Sequence, residues 1–385
     1  MINYGKHYIS EEDVTSVIEV LKSDWLTQGP KVPEFEKSLS DYTGSKYVSL
    51  VNSATSALHL GCLALGLGEG DWLWTSPISF VASANCGVYC GANIDFVDIN
   101  LDTYNIDIDI LNEKLLIAER EDKLPKVIVL VHMCGSSIDT KAIYELSKKF
   151  HFKIIEDASH AVGAKYLDLP VGSCKYSDIC VFSFHPVKII TSAEGGAILT
   201  NSPEIDNRVK SYRSHGITKD VAKFKNSSEG PWYYEQHSLG FNYRMNDLQA
   251  ALGLNQLQRL DSITLKRNEL ANSYKELLES LPIEFQKIID HSYSSYHLLS
   301  LRITTNQVQQ KKRYFFENLL RMGIGVNLHY IPIYRQPYYS KFGFNYKNFP
   351  NAEKYYAQAI TLPLYPNLST SDLNFICQSF RSLFK

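Results

Sequence analysis

No run of apolar residues approaches the roughly 18 that a membrane-spanning helix needs. The opening stretch, MINYGKHYISEEDV, is too polar for a secretory signal. Both absences predict a cytoplasmic protein with no membrane association. No two cysteines have C-x-x-C spacing, and the seven present are odd in number and lie mostly within apolar segments. That argues against a zinc ribbon or a disulfide framework and predicts buried, reduced thiols. Excess charge of one sign is also missing, since 39 Lys and Arg face 41 Asp and Glu. No general attraction to nucleic acid or an anionic surface is expected. The chain carries no internal repeat and no low-complexity segment.

What is present is ordinary globular material: 385 residues, 44% of them apolar, enough for a substantial core and more than one domain. Ser10 fits a helix N-cap, with Asp13 three residues on as a weak capping-box partner and Ile9 and Val14 placed as a staple. Val14, Val17, Ile18 and Leu21 then make one apolar face. From about 45 to 200, short apolar runs alternate with helical patterns such as 54–65 and 139–150. The runs are YVSLV (47–51), WLWT (72–75), IDFVDI (94–99), KVIVLVH (126–132), KIIED (153–157), ICVFSF (179–184) and GAILT (196–200). Alternation of this kind predicts an α/β domain with a mostly parallel sheet whose strands are buried on both faces.

Residues 214–238 are polar and interrupt the pattern, as functional or disordered loops do. A long helical stretch from Asn246 follows, with a break expected near Asp261–Ser262. The remainder reads as strand (YHLLSLRI), helix (from Asn306), strand (VNLHY) and terminal helices. The division expected is a large α/β domain over 1–255 and a small C-terminal α+β domain over 256–385.

Three local features carry chemistry. In NSATSAL (52–58), Asn52 and Ser53 cap a helix whose first residues are small, leaving its amides open to an anion. An ordinary capped helix has the same pattern. The GLGEGD that follows has its glycines after the helix and reads as a turn, so no dinucleotide-binding loop is present. In KIIEDASHA (153–161), Asp157 ends an apolar strand, where the open crevice of an α/β sheet lies, with His160 beside it. The pair lacks further metal ligands, and no metal site is expected. In VFSFHPVKIITSAEGG (181–196), Lys188 lies just past the end of a buried strand. Held against an apolar wall, a lysine loses part of its preference for the charged form and becomes a nucleophile toward carbonyls. Singly, each feature has a plain structural reading. Together, in this order, they match what pyridoxal phosphate needs: an anion-binding helix start, a carboxylate for the pyridine nitrogen and an amine for the Schiff base.

NSATSAL, TSPISFVASAN, EDASHA, FSFHPVKIITSAEGG, RSHG and LGFNYRMNDLQAALGL together resemble the DegT/DnrJ/EryC1/StrS family of nucleotide-sugar aminotransferases, over essentially the whole chain. The resemblance implies a fold type I pyridoxal-phosphate enzyme. It implies Lys188 as the Schiff-base lysine, Asp157 at the ring nitrogen, His160 beside the ring hydroxyl and Phe80 stacked on the ring. Ala54, Thr55 and Ser183 would hold the phosphate. Asn242 would reach the phosphate of a neighbouring subunit, making the active unit a homodimer with shared sites. Tyr4, Trp25, Leu26, Thr27, His329 and Tyr330 match substrate-contacting segments. LTQGP (26–30), DWLWTSPISFVASAN (71–85) and GVNLHYIPIYRQPYY (325–339) are similar to the branch acting in pseudaminic acid biosynthesis. That branch aminates C4 of UDP-2-acetamido-2,6-dideoxy-β-L-arabino-hex-4-ulose from L-glutamate. The sequence departs from the family at Ala193, where glycine is commoner, and at His160, where many relatives have glutamine.

Overall fold

The computed structural model describes residues 1–304 and 308–384. Helices α1 (Glu11–Leu21) and α2 (Lys31–Thr43) lead into β1 (Tyr47–Val51), α3 (Ala54–Ala64), β2 (Trp72–Thr75), α4 (Ala82–Tyr89) and β3 (Asn93–Phe96). The alternation continues with α5 (Ile108–Arg120), β4 (Val127–Val131), α6 (Thr140–Phe150) and β5 (Lys153–Asp157). Two short strands, β6 (Lys165–Tyr166) and β7 (Leu169–Pro170), precede β8 (Ile179–Ser183), β9 (Gly196–Thr200) and α7 (Pro203–Tyr212).

Seven of these strands form one sheet in the order β1-β9-β8-β5-β4-β2-β3. Only β9 runs against its neighbours, β1 and β8; the other pairings are parallel. Every residue of β4, β8 and β9 is buried, which accounts for their unbroken apolar runs. The strand expected over 94–99 stops at Phe96. Beyond it the Asp98 carboxylate is buried and accepts the amides of Ile99, Asn351 and Ala352, so the chain there caps a distant helix and makes only an isolated bridge, Ile99 to Ile106.

The first helix differs from expectation in its buried face. Ser10 and Asp13 form both arms of the capping box. However, Val14, Ile18 and Leu21 are exposed, as is Ile9, and α1 turns Asp13 and Val20 inward. The Asp13 carboxylate accepts bonds from Asn255, Gln256 and Arg259, and that buried polar cluster orients the helix. All seven cysteines are unpaired; six are buried and Cys90 is half-buried.

The polar segment 214–238 is ordered by a small antiparallel pair, β10 (Ile217–Thr218) with β11 (Glu235–Gln236). Glu235 accepts the amides of Lys225 and Asn226 and bonds His237. Helices α8 (Asp247–Leu257) and α9 (Leu260–Leu278) follow. Their break falls at Gln258–Arg259 rather than at Asp261–Ser262, because Arg259 leaves the helical path where it reaches Asp13.

A second, three-stranded antiparallel sheet pairs β12 (Ile283–Phe285), β14 (Leu299–Ile303) and β15 (Ala359–Leu362), while β13 (Ser292–Tyr293) joins β6. Helices α10 (Val308–Arg321), α11 (Pro350–Gln358) and α12 (Thr370–Ser382) complete the chain. The first residues of the helix expected from Asn306 lie outside the described residues. The strand expected at 326–330 forms only a single bridge, Asn327 to Thr361. Its residues 327–330 all line one cavity, which the alternating faces of a strand would forbid.

The boundary expected at 255–256 falls within α8. Leu257, Leu260 and Ile263 join a core against the large sheet, whereas Leu270, Ala271, Tyr274 and Leu278 join the core of the small one. We propose that the division runs along α9. Ile333, Tyr334, Tyr339 and Phe349 return to pack on the large sheet, so the C-terminal third touches both bodies.

Candidate active site

The carboxyl ends of β1, β4, β5 and β8 open on one side of the large sheet, and a cavity of about 440 Å³ lies there. Strand pleating decides which acid of KIIED reaches it. Glu156 points away, bonded to His132 Nε2 (2.7 Å) and Ser177 Oγ (2.5 Å). Asp157, only 6% exposed, lines the cavity. Its Oδ1 accepts Ser159 Oγ (2.6 Å) and the Ser159 amide (3.2 Å), and its Oδ2 accepts Ser83 Oγ (2.6 Å).

Lys188 enters from a tight turn. Its amide donates to the His185 carbonyl (2.9 Å) with Pro186 second in the turn, where the fixed φ of proline fits best. His185 Nδ1 also accepts the Val187 amide (3.4 Å), which gives that histidine a local structural task. Burial pushes the Lys188 amine down to about 8, and Asp157 opposes the shift. A useful fraction of neutral amine is therefore present near pH 7.

The start of α3 is the candidate anion site. Ser53 Oγ caps the Ser56 amide (3.1 Å), and the Ala54 and Thr55 amides have no partner among the described hydrogen bonds. Ser53, Ala54, Thr55 and Ser183 all line the cavity. Gly196 passes close behind this helix start, where a Cβ would lie 2.6 Å from the Ala54 nitrogen. The turn before it holds Ala193 at φ 64°, a left-handed conformation that suits the glycine commoner in the family. Thr191 Oγ1 accepts the Ala193 amide there.

The opposite wall comes from distant parts of the chain. Tyr4, His297, His329 and Tyr330 line it beside His160. His160 Nε2 is 3.1 Å from Tyr330 Oη, and His297 sits 4.5 Å from His160, ring centre to ring centre. Ser295 Oγ donates to the His160 carbonyl (3.0 Å), pinning the His297 segment to the large domain. Burial, with Lys188 nearby, drives His160 and His297 well below the usual histidine range and His329 down to about 3. The Nδ1 atoms of His160 and His297 are buried with no hydrogen-bond partner among the described residues. Phe80 stands at the cavity 58% exposed, 6.2 Å from the Tyr330 ring.

Ten expected residues thus meet in one cavity: Tyr4, Ala54, Thr55, Phe80, Asp157, His160, Ser183, Lys188, His329 and Tyr330. Trp25, Leu26, Thr27 and Asn242 do not line it. Residues 25–28 are exposed, and the segment is anchored through Asp247, which accepts the Gly29 and Lys31 amides and donates its own amide to the Leu26 carbonyl. Asn242 is exposed, its carbonyl accepting from Asn52. Sequence reasoning missed Ser83, Ser159 and His297. Ser159 could have been found, since a serine two residues after an aspartate commonly bonds back to it. His297 had no local signal, because a 137-residue separation hides its contact with His160.

The arrangement fits pyridoxal phosphate. The open α3 amides suit a phosphate, the orphaned Nδ1 of His160 suits a ring substituent, and Asp157 and Lys188 share the cavity between them. The chain belongs to the DegT/DnrJ/EryC1/StrS aminotransferase family, whose model matches residues 7–381. It is a pyridoxal-phosphate-dependent sugar aminotransferase. The sequence is 38% identical, over 100% of this chain and 98% of that protein, to the UDP-4-amino-4,6-dideoxy-N-acetyl-β-L-altrosamine transaminase of Campylobacter jejuni. The fold superposes on Helicobacter pylori PseC, an aminotransferase of pseudaminic acid biosynthesis, with TM-score 0.89 and 34% identity over 100% of this chain and 99% of that one. It also matches the PMP-form of the putative sugar aminotransferase Spr1654 from Streptococcus pneumoniae, with TM-score 0.91 and 30% identity over 100% and 99% of the two chains. Among the described residues no helix is long and apolar enough to cross a membrane.

Proposed function

We propose that the protein transfers the amino group of L-glutamate to C4 of UDP-2-acetamido-2,6-dideoxy-β-L-arabino-hex-4-ulose. The product would be UDP-4-amino-4,6-dideoxy-N-acetyl-β-L-altrosamine, a step of pseudaminic acid biosynthesis in the cytoplasm. The observation that carries the reading is the meeting of Lys188, Asp157 and the open α3 amides in one cavity. Full-length similarity to a transaminase of that product supports the finer assignment.

Pyridoxal phosphate, when bound, supplies an electron sink for charge at the carbon bearing the amine. The protein does the rest. The Ala54 and Thr55 amides with Ser183 would hold the phosphate. Asp157 would pair with the ring nitrogen, and Phe80 and His160 would bound the ring. Lys188 Nζ, partly neutral near pH 7, takes the proton from glutamate Cα and later returns one to sugar C4. Tyr4, His329 and Tyr330 bound the sugar. Phe80, Trp25 and Leu26 are exposed in the single chain, which supports a homodimer in which segment 25–27 and Asn242 complete the site of a second copy.

The test is incubation with glutamate and a panel of UDP-, dTDP- and GDP-linked 3- and 4-keto sugars, with products identified by NMR. Amination at C4 of the UDP sugar is expected. Amination at C3, or preference for another nucleotide, would assign the enzyme to a different keto-sugar.

A further inference from the structure

Ser83 lies in the first turn of α4, fully buried, 74 residues from the acid it meets. Burying a hydroxyl is costly unless it is bonded, and a helical serine usually satisfies itself on its own backbone. Ser83 instead spends its proton on Asp157 Oδ2 at 2.6 Å. A carboxylate can only accept here, so that proton is committed. Ser79 Oγ, 2.7 Å from Ser83 Oγ and also buried, must then be the donor to Ser83. The result is a one-way relay, Ser79 to Ser83 to Asp157, reaching the oxygen that Ser159 does not bond.

We propose that Ser83, backed by Ser79, is a positioning residue that keeps the Asp157 carboxylate aimed at the nitrogen of the bound pyridine ring. The inference rests on the reading of Asp157 as partner of that nitrogen. A buried carboxylate bonded on one oxygen alone rotates more freely and carries an uncompensated lone pair in a poorly solvated place. The same short segment serves the ring twice, because Phe80 lies between the two serines. The stretch 79–83 thus sets both the face contact and the charge contact of one ligand.

The test uses the full-length apoprotein and two ligands: pyridoxal phosphate, and its analogue with a ring C–H in place of the nitrogen. Binding is followed by absorbance and protein fluorescence. Ser83→Ala should weaken pyridoxal phosphate about tenfold, the scale of one hydrogen bond to a charged group, and leave the analogue unchanged. Ser83→Thr, which keeps the hydroxyl, should restore the affinity. Ser79→Ala, a milder change that answers the question if Ser83→Ala fails to fold, should give a smaller loss with the same selectivity. Equal losses for both ligands would mean that the serines merely shape the cavity, and no loss in either variant would mean that the relay is idle; both results overturn the inference. Failure of the wild-type protein to capture pyridoxal phosphate would instead overturn the functional reading itself.

Discussion

Across the cavity, Asp157 and the histidines have opposite hydrogen-bonding states. Asp157 takes three donors on two oxygens, all from serines of the large domain. His160 and His297 each keep a buried Nδ1 with no partner among the described residues. The first arrangement fixes both carboxylate oxygens in place before any ligand arrives. The second leaves polar capacity uncommitted, and its rings stay neutral because burial and Lys188 disfavour a further positive charge. Asp157 is fixed by its neighbours in advance, whereas the histidines keep hydrogen-bonding capacity for what enters the cavity.

That contrast can be broken by experiment, beginning with the group both sides share. Lys188→Ala should lower turnover by more than about a thousandfold and remove the visible absorbance of captured cofactor. Retained turnover would sink the assignment. Asp157→Asn should weaken pyridoxal phosphate binding about a hundredfold, by removing a buried charge pair. Replacing His329 by Phe on the other wall should raise KM for the keto-sugar about tenfold while leaving cofactor affinity within about twofold. A comparable loss of cofactor affinity would erase the contrast.

The pH dependence sharpens it further. Cofactor capture needs the neutral amine, and the Lys188 value of about 8 lies below the usual lysine value. The capture rate by apoprotein should therefore rise with pH, about tenfold per unit, and level off above about 8. The histidines titrate too low to add an inflection near 6.5. A step at that pH in stopped-flow capture would show a charged imidazole and contradict the neutral wall. The smallest effect belongs to Ala193→Gly, which relieves a left-handed alanine and should raise stability by about 0.5–1 kcal/mol in urea unfolding.

Legibility followed distance along the chain. KIIED, ICVFSF and GAILT were readable as strands because burial on both faces writes itself as an apolar run. Asp157, Lys188 and the start at Ser53 were readable because strand ends and helix caps have local signatures. The apolar stripe of α1 was legible, but a stripe does not say what covers it, and in this chain Val14, Ile18 and Leu21 are exposed. VNLHY looked like a strand, yet four successive residues turn to the cavity. Nothing local marked His297 or Ser83, whose roles lie in contacts made 137 and 74 residues away.

By itself, then, the sequence determined the alternating α/β order, and it marked Lys188, Asp157 and the capped helix start at Ser53 as candidates, which the fold brings to one cavity. Those depend on propensity, capping and burial, which act within a few residues. Only the tertiary structure decided that Glu156 faces away, that a serine from another helix, Ser83, holds one oxygen of Asp157, and that a wall of neutral imidazoles faces it. Those follow from sheet register and from the packing of the C-terminal segments across the strand ends, where contacts are set by the whole fold.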